Sequence, residues 1–380
     1  MDRAYDAWEE YFGPLPADSE GKDFQMIGHV MADRDLFRTA GVLTDEVPNF
    51  QHGINRNQLF WMNDQPTLYY REHLLLHEGT HCFMLAYPNP TNQFAWYMEG
   101  MAELFGTHFT DEAGTTRLRV LPHDLQVFDG WGRIRIIEEE VHEKGPRRVA
   151  AVIGIRPDEF QKNDAYAWSW ALCAFLDGHP KYHDRFRRVG FLVTNHNDAV
   201  TEMNLVFKDD WNELAEEWLL FAANLCHGYI IDRTVLDFRL AKALSGPGAR
   251  TQIDIAADRG WQSSGVFVEH GKNYQISASG TCVLSHDPKP WESEPQGISF
   301  RYHARLPLGI LVAAIRSDAP IEKPPYTTML DVLPVGRGRQ ITPDVSGTLY
   351  FRVNDDWGEL LDNSGMVHVT IEAPPAKNDE

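Results

Sequence analysis

The stretch Leu74–Leu85, LLLHEGTHCFML, is the most informative segment in the first part of this chain. Residues four apart lie on one face of a helix, so His77 and His81 can bind a single metal ion together. Apolar residues surround both histidines, which predicts a buried helix. Glu78 lies next to His77 and can reach a water molecule bound to that metal without displacing it. The pattern predicts a zinc-binding helix.

A second apolar segment supplies a third candidate ligand. Glu99 lies in WYMEGMAELF, residues 96–105, with 17 residues between it and His81. Three protein ligands leave one position open, which is typical of hydrolytic zinc sites and not of structural ones. Glu103 follows one helical turn later and could hold a ligating histidine by its free ring nitrogen. The competing interpretations are a core helix with inert histidines and, for Glu103, a salt-bridged surface carboxylate.

These two segments resemble the gluzincin metallopeptidases, the HExxH peptidases of the MA clan whose third zinc ligand is a glutamate on the next helix. The EGMAE form is closer still to uncharacterised bacterial peptidase-like domains. The resemblance implies an α+β, mainly helical, thermolysin-like domain with a small β-sheet. It also implies zinc bound by His77, His81 and Glu99, Glu78 as general base, and a peptide or protein substrate.

A further resemblance concerns the segment Tyr166–Leu176, YAWSWALCAFL. It is similar to a helix of aminopeptidase N-like gluzincins that opens with a tyrosine facing the scissile carbonyl. Tyr166 would then donate a hydrogen bond to the developing oxyanion; an ordinary amphipathic tyrosine fits equally well. The aminopeptidase branch usually has one residue more between His81 and Glu99, and a Gly-x-Met-Glu-Asn segment that is absent upstream of His77. Endopeptidase and exopeptidase activity therefore both stay open.

Composition limits the classes of partner. The chain has 380 residues, 43% of them hydrophobic, which is enough for two or three folded domains. The net charge of −20 argues against a nucleic-acid partner, whose phosphates it would repel. Apolar runs such as Trp218–Cys226 are far shorter than the roughly 20 residues that span a bilayer, so no transmembrane segment is expected. The residues after Met1 do not read as a signal peptide.

The clearest predicted domain boundary is the turn Ser245–Gly248, SGPG. It separates a peptidase-like domain at residues 1–245 from a β domain at residues 246–376, with a polar tail at residues 377–380. In the first domain we predict helices over residues 131–143 and 210–225, and strands over residues 58–62 and 150–155. Residues 57–63 are our candidate for an edge strand that aligns an extended substrate; a buried strand without substrate contact is equally compatible.

The β domain shows alternating strands separated by turn residues, which predicts a β-sandwich of about 130 residues. The predicted strands are Thr251–Ala256, Tyr274–Ala278, Ile310–Ile315, Thr348–Val353 and Val367–Ile371.

Motifs in this domain resemble the bacterial galactophilic calcium lectins of PA-I type. They are WxxSGVxVxxGxxYxIxAxG at residues 261–280, PQGI at residues 295–298 and VND…DNSG between residues 353 and 365. The resemblance implies a calcium ion and a contact between Gln296 and a sugar. It also suggests a secreted or periplasmic location, although localisation is not decided by the sequence. Ser293 stands where these lectins have a histidine, which puts galactose binding in doubt.

The candidate calcium ligands are Leu284 through its backbone carbonyl, Asp355, Glu359, Asp362 and Asn363. Calcium takes six to eight hard oxygen ligands, and acidic and amide side chains cluster over residues 355–363. A solvated acidic turn without an ion is the alternative.

Two functions follow from these patterns. One is a zinc-dependent peptidase whose sandwich binds calcium and a glycan or another partner. The other is a catalytically inactive binding protein that recognises its partner through the sandwich. Because His77, His81 and Glu99 are intact and an inactive protein has no reason to keep Glu78, the sequence favours the peptidase.

Overall fold

The computed structural model describes residues 1–15, 24–87, 94–190, 199–318 and 327–373. The protein is mixed, with 36% helix and 26% strand, in agreement with a helical part followed by a β-rich part. It divides into two compact units, Met1–Trp211 and Asn212–Glu380. This division groups residues 212–245 with the second unit, whereas the boundary predicted at residue 245 stays a prediction. The predicted tail at residues 377–380 lies outside the described residues.

The first unit contains helices and short strands in the following order. They are α1 Asp2–Phe12, β1 Ile27–Met31, α2 Arg34–Thr39, β2 Gly53–Arg56, β3 Leu59–Asn63, α3 Leu68–Met84, α4 Ala95–Gly106, β4 His108–Thr110, β5 Thr116–Leu118, α5 Arg133–Lys144, α6 Val149–Ile153, α7 Asn163–Gly178, α8 His183–Val189 and α9 Ala199–Val206. The helix predicted over residues 131–143 is confirmed as α5.

A three-stranded sheet lies beside the α3 helix, in the order β1-β3-β2. The strand predicted at residues 58–62 is confirmed as β3. Its assignment as an edge strand over residues 57–63 is wrong, because β3 pairs with β1 on one side and with β2 on the other. Phe60, Trp61 and Met62 are all buried, as expected for a central strand.

The strand predicted over residues 150–155 is also wrong, since α6 occupies Val149–Ile153. Val149, Val152 and Ile153 are buried. Their spacing of three and four residues is that of a helix face, and it outweighs the β propensity of the valines and isoleucines.

Helices α3, α4 and α7 form the centre of the first unit. The Thr67 hydroxyl caps α3 by accepting the backbone N–H of Tyr70 at 3.2 Å. Large side chains with less than 2% exposure, among them Phe83, Trp96 and Trp168, fill the interior. The interior fixes α3 and α4, which carry the candidate metal ligands.

The second unit combines two helices with a β-sandwich. Its elements are α10 Trp211–Asn224, which begins one residue before the unit does, α11 Ile231–Thr234, β6 Arg250–Ala256, β7 Gln262–Val268, β8 Tyr274–Val283, β9 Glu292–Ser293, β10 Gln296–His303, β11 Leu306–Ser317, β12 Leu333–Pro334, β13 Gly338–Ile341, β14 Gly347–Val353 and β15 Ser364–Glu372. The helix predicted over residues 210–225 and the five predicted strands of the sandwich are confirmed, with bounds that differ by a few residues.

Two sheets form the sandwich, in the orders β10-β11-β14-β7 and β13-β8-β15-β6. Alternate residues of both sheets, such as Val367 and Val369 on β15 and Leu349 and Phe351 on β14, enter one hydrophobic core.

Residues 212–245 are bound to this sandwich by polar contacts. Glu216 on α10 accepts hydrogen bonds from Arg316 at 2.6 Å and from the Thr327 hydroxyl at 3.0 Å. The backbone of Lys242 pairs with β7, since its N–H donates to Gly265 and its carbonyl accepts from Phe267. The helical segment is therefore joined to the sandwich by polar interactions as well as by the continuous chain.

Candidate metal centre

Three side chains from α3 and α4 converge on one point. The Nε2 atoms of His77 and His81 lie 3.2 Å apart. Glu99 Oε2 lies 3.2 Å from His81 Nε2 and 3.4 Å from His77 Nε2. Both histidines are buried, and about a quarter of the Glu99 side chain is exposed. The structure thus brings together the three residues that the sequence indicated as ligands.

The geometry of this triangle fits a tetrahedral metal ion. Zinc binds imidazole nitrogen and carboxylate oxygen at about 2.0–2.2 Å, and ligands of a tetrahedron with such bonds lie about 3.3–3.5 Å from one another. The three observed distances are at or just below that range. Two buried imidazole nitrogens that face each other repel one another unless a proton or a cation lies between them. A cation would remove this repulsion, and imidazole and carboxylate are common zinc ligands, so the donor set fits zinc.

The charges of the cluster reinforce one another. Burial opposes ionisation of Glu99, but the charge of His81 and hydrogen bonds from His77 and His81 lower its pKa to about 2. Burial likewise favours a neutral His77, but Glu103 and Glu99 outweigh burial and raise its pKa to about 10. The carboxylates therefore favour positive charge at the position where the three ligand atoms meet.

Glu78 lies on the same helix and faces the sheet. Only 4% of its surface is exposed, and burial raises the pKa of its carboxyl group, against the influence of His77 and His81. A Cβ atom placed on Gly53 of β2 would lie 2.3 Å from Glu78 Oε1. Glycine at position 53 is therefore what allows the strand backbone to approach the carboxylate this closely.

Glu103 lies behind His77, away from the triangle. Its Oε1 is 3.3 Å from His77 Nδ1, the ring nitrogen that does not face Glu99. Since only 2% of Glu103 is exposed, the interpretation as a surface carboxylate is wrong. Burial opposes its ionisation, but Arg133 and His73 hold the pKa of Glu103 well below the ordinary value.

Tyr166 on α7 lies beside the cluster. Its ring centroid is 6.2 Å from that of His77, and the Arg133 guanidinium lies over its ring at 5.5 Å. Burial raises the pKa of its hydroxyl group, with further contributions from Glu99 and Glu103, so the phenol stays protonated and can donate a hydrogen bond. Its role at an oxyanion stays a prediction.

Three neighbours of the site were missed by the sequence analysis: His73, Arg133 and Gly53. His73 precedes His77 by four residues, so helical spacing could have identified it. Arg133 and Gly53 lie in segments with no motif, and nothing in the sequence brings them to the zinc helix.

The proposed calcium loop is only partly assembled. Asp355 Oδ2 accepts a hydrogen bond from Asn363 Nδ2 at 2.9 Å, and both residues are buried. Among the described residues, Asp362 Oδ1 and Asn363 Oδ1 are buried with no hydrogen-bond partner, as expected of oxygens that await a cation. Within those same parts of the chain, however, Asp355, Glu359 and Asp362 do not bring three carboxylates within 4.8 Å of one another.

The remaining predicted lectin-like residues give a mixed picture. Leu284 is buried and its side chain lies near Gly309 and Ser293, so this part of the sandwich is closely packed. The Gln296 amide is engaged within the protein, because it accepts from Arg337 at 2.6 Å and donates to Glu294 at 3.2 Å. Since Gln296 is exposed and each of these contacts uses one of two hydrogen-bonding positions, the amide keeps one acceptor and one donor position.

Comparisons with known proteins show no matching family model and no matching curated protein. Solved structures similar to part of the chain include the following three. A domain described as "EclA N-terminal domain; PllA-like lectin" is 19% identical, with 32% of this chain and 94% of that chain covered and a TM-score of 0.25. AJLec from the sea anemone Anthopleura japonica is 14% identical, with 36% and 98% covered and a TM-score of 0.19. A Bacillus endospore appendage protein is 9% identical, with 36% and 98% covered and a TM-score of 0.12.

No helix among the described residues has the length and apolar character needed to cross a membrane.

Proposed function

We propose that the first unit is a zinc-dependent peptidase. The observation that carries the proposal is the triangle of His77 Nε2, His81 Nε2 and Glu99 Oε2, whose sides of 3.2–3.4 Å suit a tetrahedral ion. With three ligands from the protein, a fourth position stays open for water or substrate. When bound, zinc would lower the pKa of a water ligand and polarise the substrate carbonyl.

The protein residues have separate roles in this reaction. Glu78 accepts a proton from the attacking water and delivers it to the leaving amine. Tyr166 donates a hydrogen bond to the oxygen on which negative charge develops. Glu103 Oε1 lies 3.3 Å from His77 Nδ1, where its charge would favour a proton on Nδ1 and leave Nε2 to bind metal.

An extended peptide fits the open edge of β2. The Asn63 N–H donates to the His52 carbonyl, and antiparallel pairing alternates, so the N–H and C=O groups of Gly53 and Asn55 point away from β3. In the part of the chain that the structure describes, β2 pairs on one side only. Since Gly53 also borders Glu78, a peptide added at this edge would pass the general base.

Zinc stoichiometry and hydrolysis of a mixed peptide library test this function. We expect one zinc ion per chain, and in Glu78→Gln we expect zinc binding to be kept while hydrolysis falls by about 10²–10⁴-fold, because the proton acceptor is lost. Unchanged hydrolysis in Glu78→Gln would reject the assigned base. A protein that binds no zinc and cleaves no peptide would instead favour an inactive binding protein.

We further propose that the loop at residues 355–363 binds calcium, supported by the unpartnered buried oxygens of Asp362 and Asn363. Leu284 and Glu359 stay candidate ligands, and carbohydrate binding through Gln296 stays a prediction. Calorimetry with calcium and then with a galactoside separates the two steps, since a lack of calcium heat would remove the basis for the site.

A further inference from the structure

The buried carboxylate of Glu103 has contacts on both of its oxygens. Arg133 donates to it in a two-pronged manner, from Nε to Oε2 at 3.0 Å and from Nη2 to Oε1 at 3.1 Å. Oε1 also faces His77 Nδ1 at 3.3 Å, and Oε2 faces His73 Nε2 at 3.4 Å. All four side chains are at least nine-tenths buried. Glu103 thus connects α3 to Arg133, the first residue of α5.

This group could be mistaken for a second metal site. His73, His77 and Glu103 offer three ligand atoms within 4.8 Å of one another, next to the zinc triangle. Arg133, however, already places a permanent positive charge against both Glu103 oxygens. A second cation would lie beside this charge and compete for the same oxygens. The guanidinium therefore takes the position that a second metal would need.

Resting on the proposed zinc function, we propose that Arg133 is a positioning residue that fixes the orientation of Glu103 and, through it, of the zinc ligand His77. A guanidinium is a planar fork, and two parallel hydrogen bonds fix the plane of a carboxylate, whereas a lysine ammonium holds only one point. With the plane fixed, Glu103 Oε1 stays opposite His77 Nδ1, and Nε2 of the same ring stays turned towards His81 and Glu99.

The chain offers a matched control in the same unit. Arg147 makes the same kind of fork, to Glu140 Oε1 at 2.7 Å and Oε2 at 2.8 Å. It lies over the Trp168 ring at 5.4 Å, much as Arg133 lies over Tyr166 at 5.5 Å. Neither Arg147 nor Glu140 contacts the zinc triangle in any of these interactions. Losing either arginine breaks a similar ion pair, but only Arg133 lies behind a proposed ligand.

Zinc affinity, measured on the full chain by competition with a chelator, tests this role. We expect Arg133→Met to bind zinc about 10–100-fold more weakly, as is typical when a partner of a metal ligand is lost, and Arg147→Met to bind like the wild type. Arg133→Lys should stay weaker than the wild type, because it keeps the charge but not the fork. Where Arg133→Met does not fold, Arg133→Lys carries the test.

A double-mutant cycle separates action through Glu103 from a general loss of structure. If Arg133 acts through Glu103, Glu103→Gln combined with Arg133→Met loses no more zinc affinity than Glu103→Gln alone. Wild-type affinity in Arg133→Met, an equal loss in Arg147→Met, or additive losses in the double variant would overturn the assignment.

The peptidase proposal is judged separately by hydrolysis in the same samples. A wild-type protein that shows this pattern of zinc binding but cleaves no peptide would reject the peptidase and support the positioning role. If the wild type cleaves peptides and Arg133→Met binds zinc with wild-type affinity, the positioning role is rejected and the peptidase is supported. A wild-type protein that binds no zinc would reject both.

Discussion

Replacing Gly53 with alanine would force a methyl group into the space that the Glu78 carboxylate occupies. The added Cβ would lie 2.3 Å from Glu78 Oε1 and 2.9 Å from Glu78 Cδ, whereas such contacts essentially never fall below 3.0 Å. Either the carboxylate or the β2 backbone must move. A displacement of about 1 Å at a catalytic group costs about 100-fold in rate, or about 2.7 kcal/mol in activation free energy.

Gly28→Ala is a matched control on the other side of the same sheet. There the added Cβ would lie 2.2 Å from the ring of Phe60, so β1 suffers a similar overlap without contact to Glu78. We expect both variants to lose about 1–3 kcal/mol of unfolding free energy through overpacking. Only Gly53→Ala should lose about 100-fold in kcat.

The assay combines zinc content, thermal unfolding and kcat for one peptide from the library. Zinc content should be unchanged in Gly53→Ala, because the three atoms nearest the new methyl group all belong to Glu78, which is not a proposed ligand. Wild-type kcat in Gly53→Ala would refute the expectation that this overlap displaces Glu78 and that the position of Glu78 controls the rate. An equal loss of kcat in Gly28→Ala would show that the sheet, and not the position of the base, controls the rate.

Two predictions concern the second unit. A protein that starts at residue 246 lacks Glu216 and leaves Arg316 without that partner. Its free energy of unfolding in urea should be about 3–5 kcal/mol lower than that of a protein that starts at residue 212. Equal free energies of unfolding would show that the sandwich does not need the helical segment. Burial raises the pKa of Asp355 to about 6 from 3.8, so the folded chain holds this proton more tightly and stability should fall by about 3 kcal/mol as the pH rises from about 4 to about 6. Calcium should offset that loss above pH 6 and have little effect near pH 4, while Asp355→Asn should remove both dependences; melting curves without any calcium effect at neutral pH would argue against the site.

Local patterns in the sequence were sufficient where a contact is set by spacing along one element. His77 and His81 share a helix face by periodicity alone, and the strands of the sandwich follow from short apolar segments separated by turn residues. The same reasoning failed at residues 150–155, where six apolar-rich residues fit either period. It also failed for residues 57–63, because the sequence of one strand does not determine whether that strand pairs with other strands on one side or on both.

The interactions that orient the site come from segments far apart in the chain. Arg133 binds Glu103, which lies 30 residues away in the sequence. Gly53 contacts Glu78 only because β2 packs against α3. Neither residue type signals a role, since arginines are usually exposed and glycines usually mark turns. The edge strand illustrates the point. A search for apolar strand residues finds the buried β3, whereas the strands with an unpaired edge in the described part of the chain are β1 and β2, and the residues of β2 are at most partly buried. Composition therefore indicates which strand lies inside the sheet, and only topology indicates which strands have an edge at which a further strand could pair.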